Sequence, residues 1–454
     1  MRETIRVRVF SSFFTMLVLT LFTQSSQAVP SFARRYQQSC TTCHTVFPAL
    51  NEYGRLFLAK GYRLPGAAGT IVGEEPIGLG TEVKSPGAKR PLEIPFVDIP
   101  ATSVASFQVT SDYVNRPDDA VTDEFTGISS VGLIFGGAMG TRFSVFGNIA
   151  IIEDGAFEGI DRLFFQYNRD LAFNVRVGQF EPRAIPFSNH RRLIRITPYL
   201  NGVFPIVPAH NFFGFSPNQK GIEAFGRIPG PGSLGEFEYA AGLVNGEPGG
   251  AFEALEGTGG MVGELVENLE EAYEDSGGEN DFNNSKDFYG RLNYNLWLRG
   301  AFSVGSFYYK GKSGFLADTA DPDSFVKNGN NFNRWGVDLR WDQDRGYVTL
   351  LSSVQFFNDS LDRATFNDLS ARVTTGEIHL HVRPWLVPAF RYERVDLYDF
   401  PSTFSNSFDR YSVDVLTQLA PNIMIMAGTT RSSNSAPELP LFDSFSRVAV
   451  HFAF

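Results

Sequence analysis

The residues with the clearest potential for chemistry lie at positions 40 to 44, where the sequence reads Cys-Thr-Thr-Cys-His. Both cysteines of the 454-residue chain fall within this pentapeptide. Two thiols three positions apart can form thioether bonds to the two vinyl groups of one haem, and the imidazole that follows then lies under the iron. Cys40 and Cys43 are therefore predicted to attach one haem c covalently, with His44 as its proximal axial ligand.

A cysteine pair with this spacing also occurs in redox-active disulfides and in zinc sites. A redox pair of the thioredoxin type is expected inside a βαβ pattern, and none surrounds positions 40 to 44. A zinc site of this kind needs a second cysteine pair, which the sequence lacks. Haem attachment is therefore favoured over both alternatives.

The N-terminus carries the features of an export signal. Three arginines within the first eight residues precede an apolar run from Phe10 to Phe22, and Ser26-Gln27-Ala28 offers the small residues that a signal peptidase reads. The run is too short to span a bilayer, which needs about 18 residues or more. Residues 1–28 are therefore predicted to be a signal peptide, so that haem attachment occurs outside the cytosol.

Residues 29–65, called the N-terminal segment below, are predicted to form the haem-bearing unit. Pro48 suits the first turn of a helix that ends at Lys60, and Gly61 suits its C-cap. This helix would place an apolar stripe on one face, which either covers one side of the macrocycle or is an ordinary core stripe. The segment is too small for a core of its own, so it needs a surrounding protein wall. The residues predicted to share this face are Leu50, Tyr53, Leu56 or Phe57, and Lys60.

The elements that must supply this wall begin at Ser103, after a linker predicted over residues 66–102. Runs of about ten residues alternate apolar and polar side chains, which is typical of strands with one face in lipid and the other in a polar lumen. Trp335 and Val337, for example, alternate with Arg334 and Asp338. About sixteen such strands are predicted, over residues 103–114, 128–138, 141–152, 161–168, 172–181, 221–228, 236–245, 286–296, 299–310, 333–342, 345–356, 371–383, 386–396, 409–419, 422–431 and 444–454.

The connections between these strands alternate between short and long. Short periplasmic turns and long outer loops produce this pattern, whereas a soluble β-sandwich or propeller does not explain it. The predicted fold class is therefore all-β: a transmembrane antiparallel β-barrel over residues 103–454, with the small helical haem segment expected to plug its lumen. The predicted location is the outer membrane of a Gram-negative bacterium, among its lipids, with both termini periplasmic.

Two of the predicted outer loops are unusually long. The third, residues 181–220, is basic and resembles the porin loop that folds inward as a constriction, although a solvated basic loop fits equally well. The fourth, residues 246–285, carries an acidic stretch that is either a solvated face or a means of concentrating cations at the mouth. The whole chain has 39 Lys and Arg against 50 Asp and Glu, and this acidic balance argues against a nucleic-acid partner.

An export signal, one Cys-x-x-Cys-His motif near the N-terminus and a large barrel together resemble the outer-membrane porin–cytochrome c fusion proteins of iron-oxidising bacteria. The resemblance implies a monohaem cytochrome lodged in the barrel. It also implies electron transfer from extracellular Fe(II), or another donor, to a periplasmic cytochrome or other carrier, and hence an Fe(II) oxidase in the functional sense. The local match rests on Pro30, Phe32, Ala33, Arg34, Cys40, Cys43, His44, Pro48, Leu50, Asn51, Gly54, Phe57, Gly61 and Tyr62.

The distal haem ligand is not evident from the sequence, because no His or Met occurs between Thr45 and Ala101. The ligand comes from the barrel or its loops, from Lys60 or the N-terminal amine, or is absent. Met424 and Met426 occupy the alternate positions of their predicted strand that are apolar, so they are predicted to face lipid. The histidine candidates are His190 and His210 in the third loop, and His379, His381 and His451 on strands, where their parity predicts that they face the lumen.

Three functions remain open at this point. The first is an electron-transfer conduit across the outer membrane. The second is a solute-diffusion porin with a structural or sensory haem segment, which the basic residues Arg191, Arg192 and Arg195 favour. The third is a haem enzyme with an open sixth position, such as a peroxidase. No conventional acid–base pair or nucleophile is recognisable in the sequence.

Overall fold

The computed structural model describes the chain in nineteen ranges and leaves several predicted features outside them. The signal peptide, the linker, His190, His210 and nearly all of the third and fourth loops lie outside the described residues. The described residues are 32, 36, 40–46, 49–64, 104–115, 123–125, 127–153, 159–184, 218–231, 235–246, 285–297, 300–316, 325–343, 348–361, 369–383, 385–398, 407–420, 423–433 and 444–453.

Four short elements lie in the described stretch from residue 40 to residue 64 of the N-terminal segment. A single helical turn, α1 (Cys40–Cys43), leads into a small antiparallel pair, β1 (His44–Val46) and β2 (Ala49–Leu50). The helix α2 (Glu52–Ala59) follows directly. Within the described ranges, no helix is long and apolar enough to cross a membrane.

The helix α2 is shorter at its start than the sequence predicts. The side chain of Asn51 accepts a hydrogen bond of 2.9 Å from the Gly54 N–H and caps the helix there. Residues 49 and 50 pair with β1 and are therefore extended, so the predicted helix start at Pro48 is wrong. The predicted C-terminal cap is confirmed, because Gly61 adopts φ +63° while its N–H donates to the Leu58 carbonyl.

The rest of the described chain forms one closed antiparallel barrel. All sixteen predicted strands are present, and β3 and β5 pair directly. The extra strand β4 has three residues, was not predicted, and pairs with the end of β3. The barrel strands are β3 (Val104–Asn115), β4 (Asp123–Phe125), β5 (Ser130–Met139), β6 (Phe143–Glu153), β7 (Gly159–Asn168), β8 (Asn174–Phe180), β9 (Gln219–Pro229), β10 (Gly235–Val244), β11 (Asp287–Trp297), β12 (Gly300–Leu316), β13 (Phe325–Gln343), β14 (Val348–Leu361), β15 (Leu369–Leu380), β16 (Leu386–Tyr398), β17 (Ser407–Ala420), β18 (Ile423–Ser433) and β19 (Phe445–Ala453).

The two faces of the barrel wall follow the predicted alternation. On β13, Trp335 and Val337 are 42% and 51% exposed, whereas Arg334 and Asp338, which flank them in the sequence, are buried. The apolar side chains therefore face outward, where lipid would cover them, and the charged ones face the lumen. A stacked pair on the outer face, Trp335 and Phe356 with ring centroids 4.2 Å apart, is held by neighbouring strands.

The two ends of the barrel differ in the length of their connections. At one end, called the short-turn end below, consecutive strands are joined by two to five residues; at the other end, with β4 counted as part of the connection from β3 to β5, they are joined by five to 42. The first residue of β3 and the last residue of β19 both lie at the short-turn end, because the ring has an even number of strands. In outer-membrane barrels the short turns are periplasmic, so we expect this end to face the periplasm.

Candidate functional site

The predicted haem-attachment residues are brought together by one helical turn. The turn α1 spans Cys40 to Cys43, so the backbone of both cysteine positions lies within one helical turn. His44 follows at once as the first residue of β1, opposite Leu50, and both Cys43 and His44 are half-buried. Spacing and local conformation therefore agree with the geometry that thioether attachment and proximal ligation require.

The helix α2 is clamped against this turn. The Cys43 carbonyl accepts a hydrogen bond of 3.0 Å from the Asn51 N–H, and the Asn51 side chain donates to the Thr42 carbonyl at 3.0 Å. A Cβ atom at Gly54 would collide with the Cys43 carbonyl oxygen, so only glycine permits this approach. Burial raises the pKa of the Tyr53 phenol, and the nearby Cys43 raises it further. The attachment turn therefore has a rigid backing.

Ion pairs join α2 to two separate parts of the barrel wall. Glu52 forms an ion pair with Arg227 on β9, whose guanidinium is almost fully buried and also contacts Glu236 on β10 at 2.7 Å. Arg55 binds Glu52 at 2.8 Å and approaches Asp342 on β13 at 3.5 Å. The helix therefore links the β9–β10 wall to the β13 wall.

Aromatic and backbone contacts join the end of α2 to a third part of the wall. The ring of Tyr62 stacks on Phe146 of β6 with centroids 5.7 Å apart. A Cβ atom at Gly61 would lie 2.6 Å from the Ser144 hydroxyl and even closer to the Asn168 amide, so the segment passes very near β6 and β7. The Arg63 guanidinium donates to the backbone carbonyl of Gly140 in the short turn between β5 and β6, and to that of Phe143 at the start of β6.

The strand β2 contacts a fourth part of the wall through an apolar cluster. Ala49 packs against five buried side chains of β16 to β19, called the methionine patch below. Met424 and Met426 are 2% and 5% exposed and share the inward parity of Thr430. The prediction that these two methionines face lipid is therefore wrong, because they are covered from the lumen side. The methionine patch consists of Val387, Leu416, Met424, Met426 and Ala449.

These contacts together locate the N-terminal segment. They involve inward-facing residues of β6, β7, β9, β13 and β16 to β19, which lie around the whole circumference of the ring. Most of them lie near the short-turn end of their strands. The described part of the N-terminal segment therefore lies in the lumen, at the short-turn end of the barrel.

The three described histidine candidates face inward, as their parity predicts. His379 bonds to Glu377 through Nε2, His381 bonds to the Thr349 hydroxyl at 3.2 Å through Nε2, and the ring centroids of these histidines are 6.3 Å apart. His451 on β19 bonds to the Thr110 hydroxyl at 3.0 Å through Nδ1. Thr349 also donates to Asp342, and through this carboxylate His381 is linked to Arg55 of the N-terminal segment.

Charges along the described lumen wall are largely paired. Arg391 binds Glu377 at 2.5 Å and Arg410 binds Glu393 at 2.6 Å, with all four side chains 2% exposed or less. A matching pair on the opposite wall joins Arg176 to Glu223 at 2.8 Å. Across the ranges that the structure describes, no group of three or more His, Cys, Asp or Glu side chains is arranged to hold a metal ion. The described wall therefore lacks a cluster of unpaired side chains of like charge, which is the arrangement that concentrates ions of the opposite charge.

The beginning of the third outer loop turns into the lumen. The guanidinium of Arg183 lies 3.9 Å from the ring centroid of Phe225 on β9. The next carbonyl, that of Ala184, accepts a hydrogen bond of 3.4 Å from Arg291 on β11. Immediately after β8, the chain therefore passes along the inner face of the wall from β9 to β11. The basic residues predicted further along this loop lie outside the described residues.

The residues present fit one covalently attached haem. Positions 40, 43 and 44 have the required order, and the turn that holds them is backed by Asn51 and Gly54. An apolar macrocycle also needs apolar walls. The segment has one apolar cluster of its own, formed by the buried side chains of Tyr36, Phe57 and Tyr62. The sequence does not reveal the wall residues that contact the N-terminal segment, because those contacts form only when the barrel has closed.

Comparison with known proteins supports the fold and nothing finer. No protein-family model and no curated protein matches the chain. An anion-selective porin from Comamonas acidovorans matches with a TM-score of 0.50 at 12% identity, over 78% of this chain and 99% of that chain. A loop L8 deletion mutant of OmpT, an outer membrane protein of Vibrio cholerae, matches with a TM-score of 0.47 at 8% identity, over 78% and 99% of the two chains.

The closed sixteen-stranded ring and its porin likeness define the class of this protein. It is a porin-like β-barrel of the outer membrane that crosses the bilayer many times. Its N-terminal segment, which contains the Cys-x-x-Cys-His sequence, packs against the inside of the wall.

Proposed function

We propose that this protein is an outer-membrane c-type cytochrome that transfers electrons across the membrane, from extracellular Fe(II) to a periplasmic carrier. One observation carries the proposal: the Cys40–His44 sequence lies in a segment that packs inside the lumen against strands from the whole ring. A redox group attached there would be surrounded by protein within a bilayer whose hydrocarbon core is about 30 Å thick.

The residues of the chain have separate roles in this proposal. Cys40 and Cys43 would hold the haem, with His44 as its proximal ligand. When bound, the haem would supply a one-electron store, to which Fe(II) could give one electron and leave as Fe(III). The ion pair between Glu52 and Arg227, together with the contact between Arg55 and Asp342, fixes the segment near the short-turn end. A periplasmic acceptor would then approach that end, while the donor enters from the long-loop side.

An anaerobic absorbance titration tests the proposal. The purified protein is mixed with Fe(II), and the reduced c-type band is followed against a Cys40→Ala variant that cannot form both thioether bonds. We expect Fe(II) to produce the band in the wild type and not in the variant. A haem that reduces with dithionite but stays oxidised with Fe(II) would reject the iron-oxidase proposal, while a protein that binds no haem would reject the cytochrome proposal altogether.

A solute-diffusion porin is the second candidate, and the fold comparisons taken alone favour it. The described wall also carries the many charged side chains that a water-filled lumen needs. Planar-bilayer conductance separates the two candidates. A large, steady conductance in the intact protein supports diffusion through a lumen that the segment leaves open, whereas a low conductance that rises when residues 29–65 are deleted supports a plugged conduit.

A further inference from the structure

We propose that the short-turn end of the barrel is a docking surface for a soluble electron carrier whose own surface is acidic. This inference rests on the proposed electron-transfer function and concerns the chemistry of the partner that would accept the electron. The docking surface, called the basic face below, consists of Arg63, Arg142, Arg169 and Arg383.

The charge of the connections between strands differs between the two ends of the barrel. The seven connections at the short-turn end contain five Arg and no Lys against two Asp. The connections at the other end contain 26 Asp and Glu against seven Lys and Arg. A chain with a net charge of −11 therefore has a local excess of positive charge at its short-turn end. The five arginines are Arg142, Arg169, Arg299, Arg345 and Arg383.

Three of these arginines lie in described turns, and all three are exposed. Arg169 forms an ion pair of 2.9 Å with Asp170, which is the one acidic residue in the described short turns. Arg142 donates to the Tyr167 hydroxyl at 3.5 Å, and Arg383 donates at 3.3 Å to the carbonyl of the residue before it. Among the described residues, neither of these two guanidinium groups has a carboxylate partner, so both can bind an acidic group from outside.

The N-terminal segment extends the basic face toward the lumen. The Arg63 guanidinium donates at 3.0 Å to the Gly140 carbonyl and at 2.8 Å to the Phe143 carbonyl, so it lies beside the turn that carries Arg142. Arg63 belongs to a segment that lies inside the ring, where lipid headgroups do not reach. Positive charge therefore continues from the rim into the mouth, which favours a protein partner over the phosphates of the surrounding lipid.

An acidic electron carrier fits this surface for two physical reasons. Opposite charges steer diffusional encounter and orient the partner, so that it meets the end of the barrel where the haem-bearing segment is held. Electron-transfer partners also bind through small and transient interfaces, which exposed charges can supply. Since exposed charge pairs are screened by salt, the binding should be weak and should decrease as the ionic strength rises.

Equilibrium binding of a charge-modified probe tests the proposal without relying on electron transfer. The probe is a soluble cytochrome c whose lysines have been succinylated, which gives the same fold an acidic surface. Binding to the barrel protein in a neutral detergent is measured at low and high salt for the wild type, Arg142→Gln, Arg383→Gln and the double variant. Arg431→Gln is the matched control, because Arg431 is an exposed arginine near the long-loop end of β18.

We expect the wild type to bind the probe at low salt and to release it at high salt. Each single substitution should weaken binding by roughly 1.5- to 5-fold and the double substitution should weaken it further, whereas Arg431→Gln should leave it unchanged. Unchanged binding in the double variant, or an equal loss in Arg431→Gln, would overturn the proposal. Loss of bound phosphatidylglycerol from the double variant in native mass spectrometry, with probe binding unchanged, would overturn it in favour of a lipid-headgroup site.

Covalent haem content, measured on the same samples, separates this proposal from the proposed function. A haem-loaded wild type that does not bind the probe overturns the acidic partner and leaves the cytochrome proposal intact. Binding of the probe by a wild type without covalent haem supports the basic face as a docking surface but rejects an electron carrier as its partner, together with the cytochrome proposal.

Discussion

Replacing Gly61 with alanine should release the N-terminal segment from the wall. Gly61 has φ +63°, which costs an L-residue about 1–2 kcal/mol. The added Cβ would also lie 2.6 Å from the Ser144 hydroxyl and closer still to the Asn168 amide. These two side chains bond to each other at 3.1 Å, so they cannot move apart without losing that bond. Overpacking of this kind costs about 1–3 kcal/mol.

Gly127 provides a matched control, because it also has φ +63° but a Cβ atom added there would meet no other atom within 4 Å. Gly127→Ala therefore carries the backbone strain without the collision. Because Gly127 lies outside the N-terminal segment, Gly127→Ala should leave docking unchanged. The overpacking cost at Gly61 of about 1–3 kcal/mol corresponds to a roughly 5- to 150-fold shift in the equilibrium between docked and released segment.

Limited proteolysis of the folded barrel measures this equilibrium through the cleavage rate of residues 49–64. Single-channel recording provides an independent measure, since release should increase the time that the lumen spends open. Gly61→Ala should exceed both the wild type and Gly127→Ala in each assay. Equal cleavage rates and equal open times in the two alanine variants would refute the close approach between Gly61 and the β6–β7 wall.

Three further perturbations follow from the wall. Replacing Arg410 with methionine leaves Glu393 buried without its 2.6 Å partner, so the unfolding free energy should fall by about 3–5 kcal/mol, and the double methionine variant should regain much of it in urea titrations. Placing arginine at Val337, on the outer face, should cost about 2–4 kcal/mol near the bilayer midplane and reduce insertion into vesicles, whereas leucine there should not. Replacing Arg227 with methionine removes the wall partner of Glu52 and should increase protease access to the segment without loss of the barrel's heat-modifiable mobility.

The barrel could be predicted from the sequence because its signal is local. Each strand has a period of two, and a slip of one residue would exchange its lipid and lumen faces, so the alternation of Trp335 and Val337 with Arg334 and Asp338 fixes orientation by itself. The lengths of the connections then distinguish the short-turn end of the barrel from the end with the long loops. The three-residue strand β4 was missed because a strand that short leaves no periodicity to detect.

The surroundings of the candidate site could not be predicted in the same way. The contact of Glu52 with Arg227 spans 175 residues, and nothing in the local pattern of either residue indicates the other. The prediction for Met424 and Met426 was wrong for a related reason. Alternate apolar positions of a barrel strand normally face lipid, but here the lumen contains protein that covers these two side chains from the inside. One signal was available: Leu416 lies on the inward parity of Ser412 and Asp414, and Met426 is its cross-strand neighbour.

The position of the N-terminal segment inside a closed ring sets an order of events during biogenesis. Its wall partners come from β6 to β19, and the ring closes only when the last strand, β19, pairs with the first, β3. The N-terminal segment therefore reaches its final position only after the strands that follow it in the chain have been made. An enzyme that joins a haem to this segment, as the proposed function requires, would reach it most easily before closure, because the closed ring then surrounds the segment. Under the proposed function, covalent attachment of the haem in the periplasm would then have to be completed before the barrel is assembled.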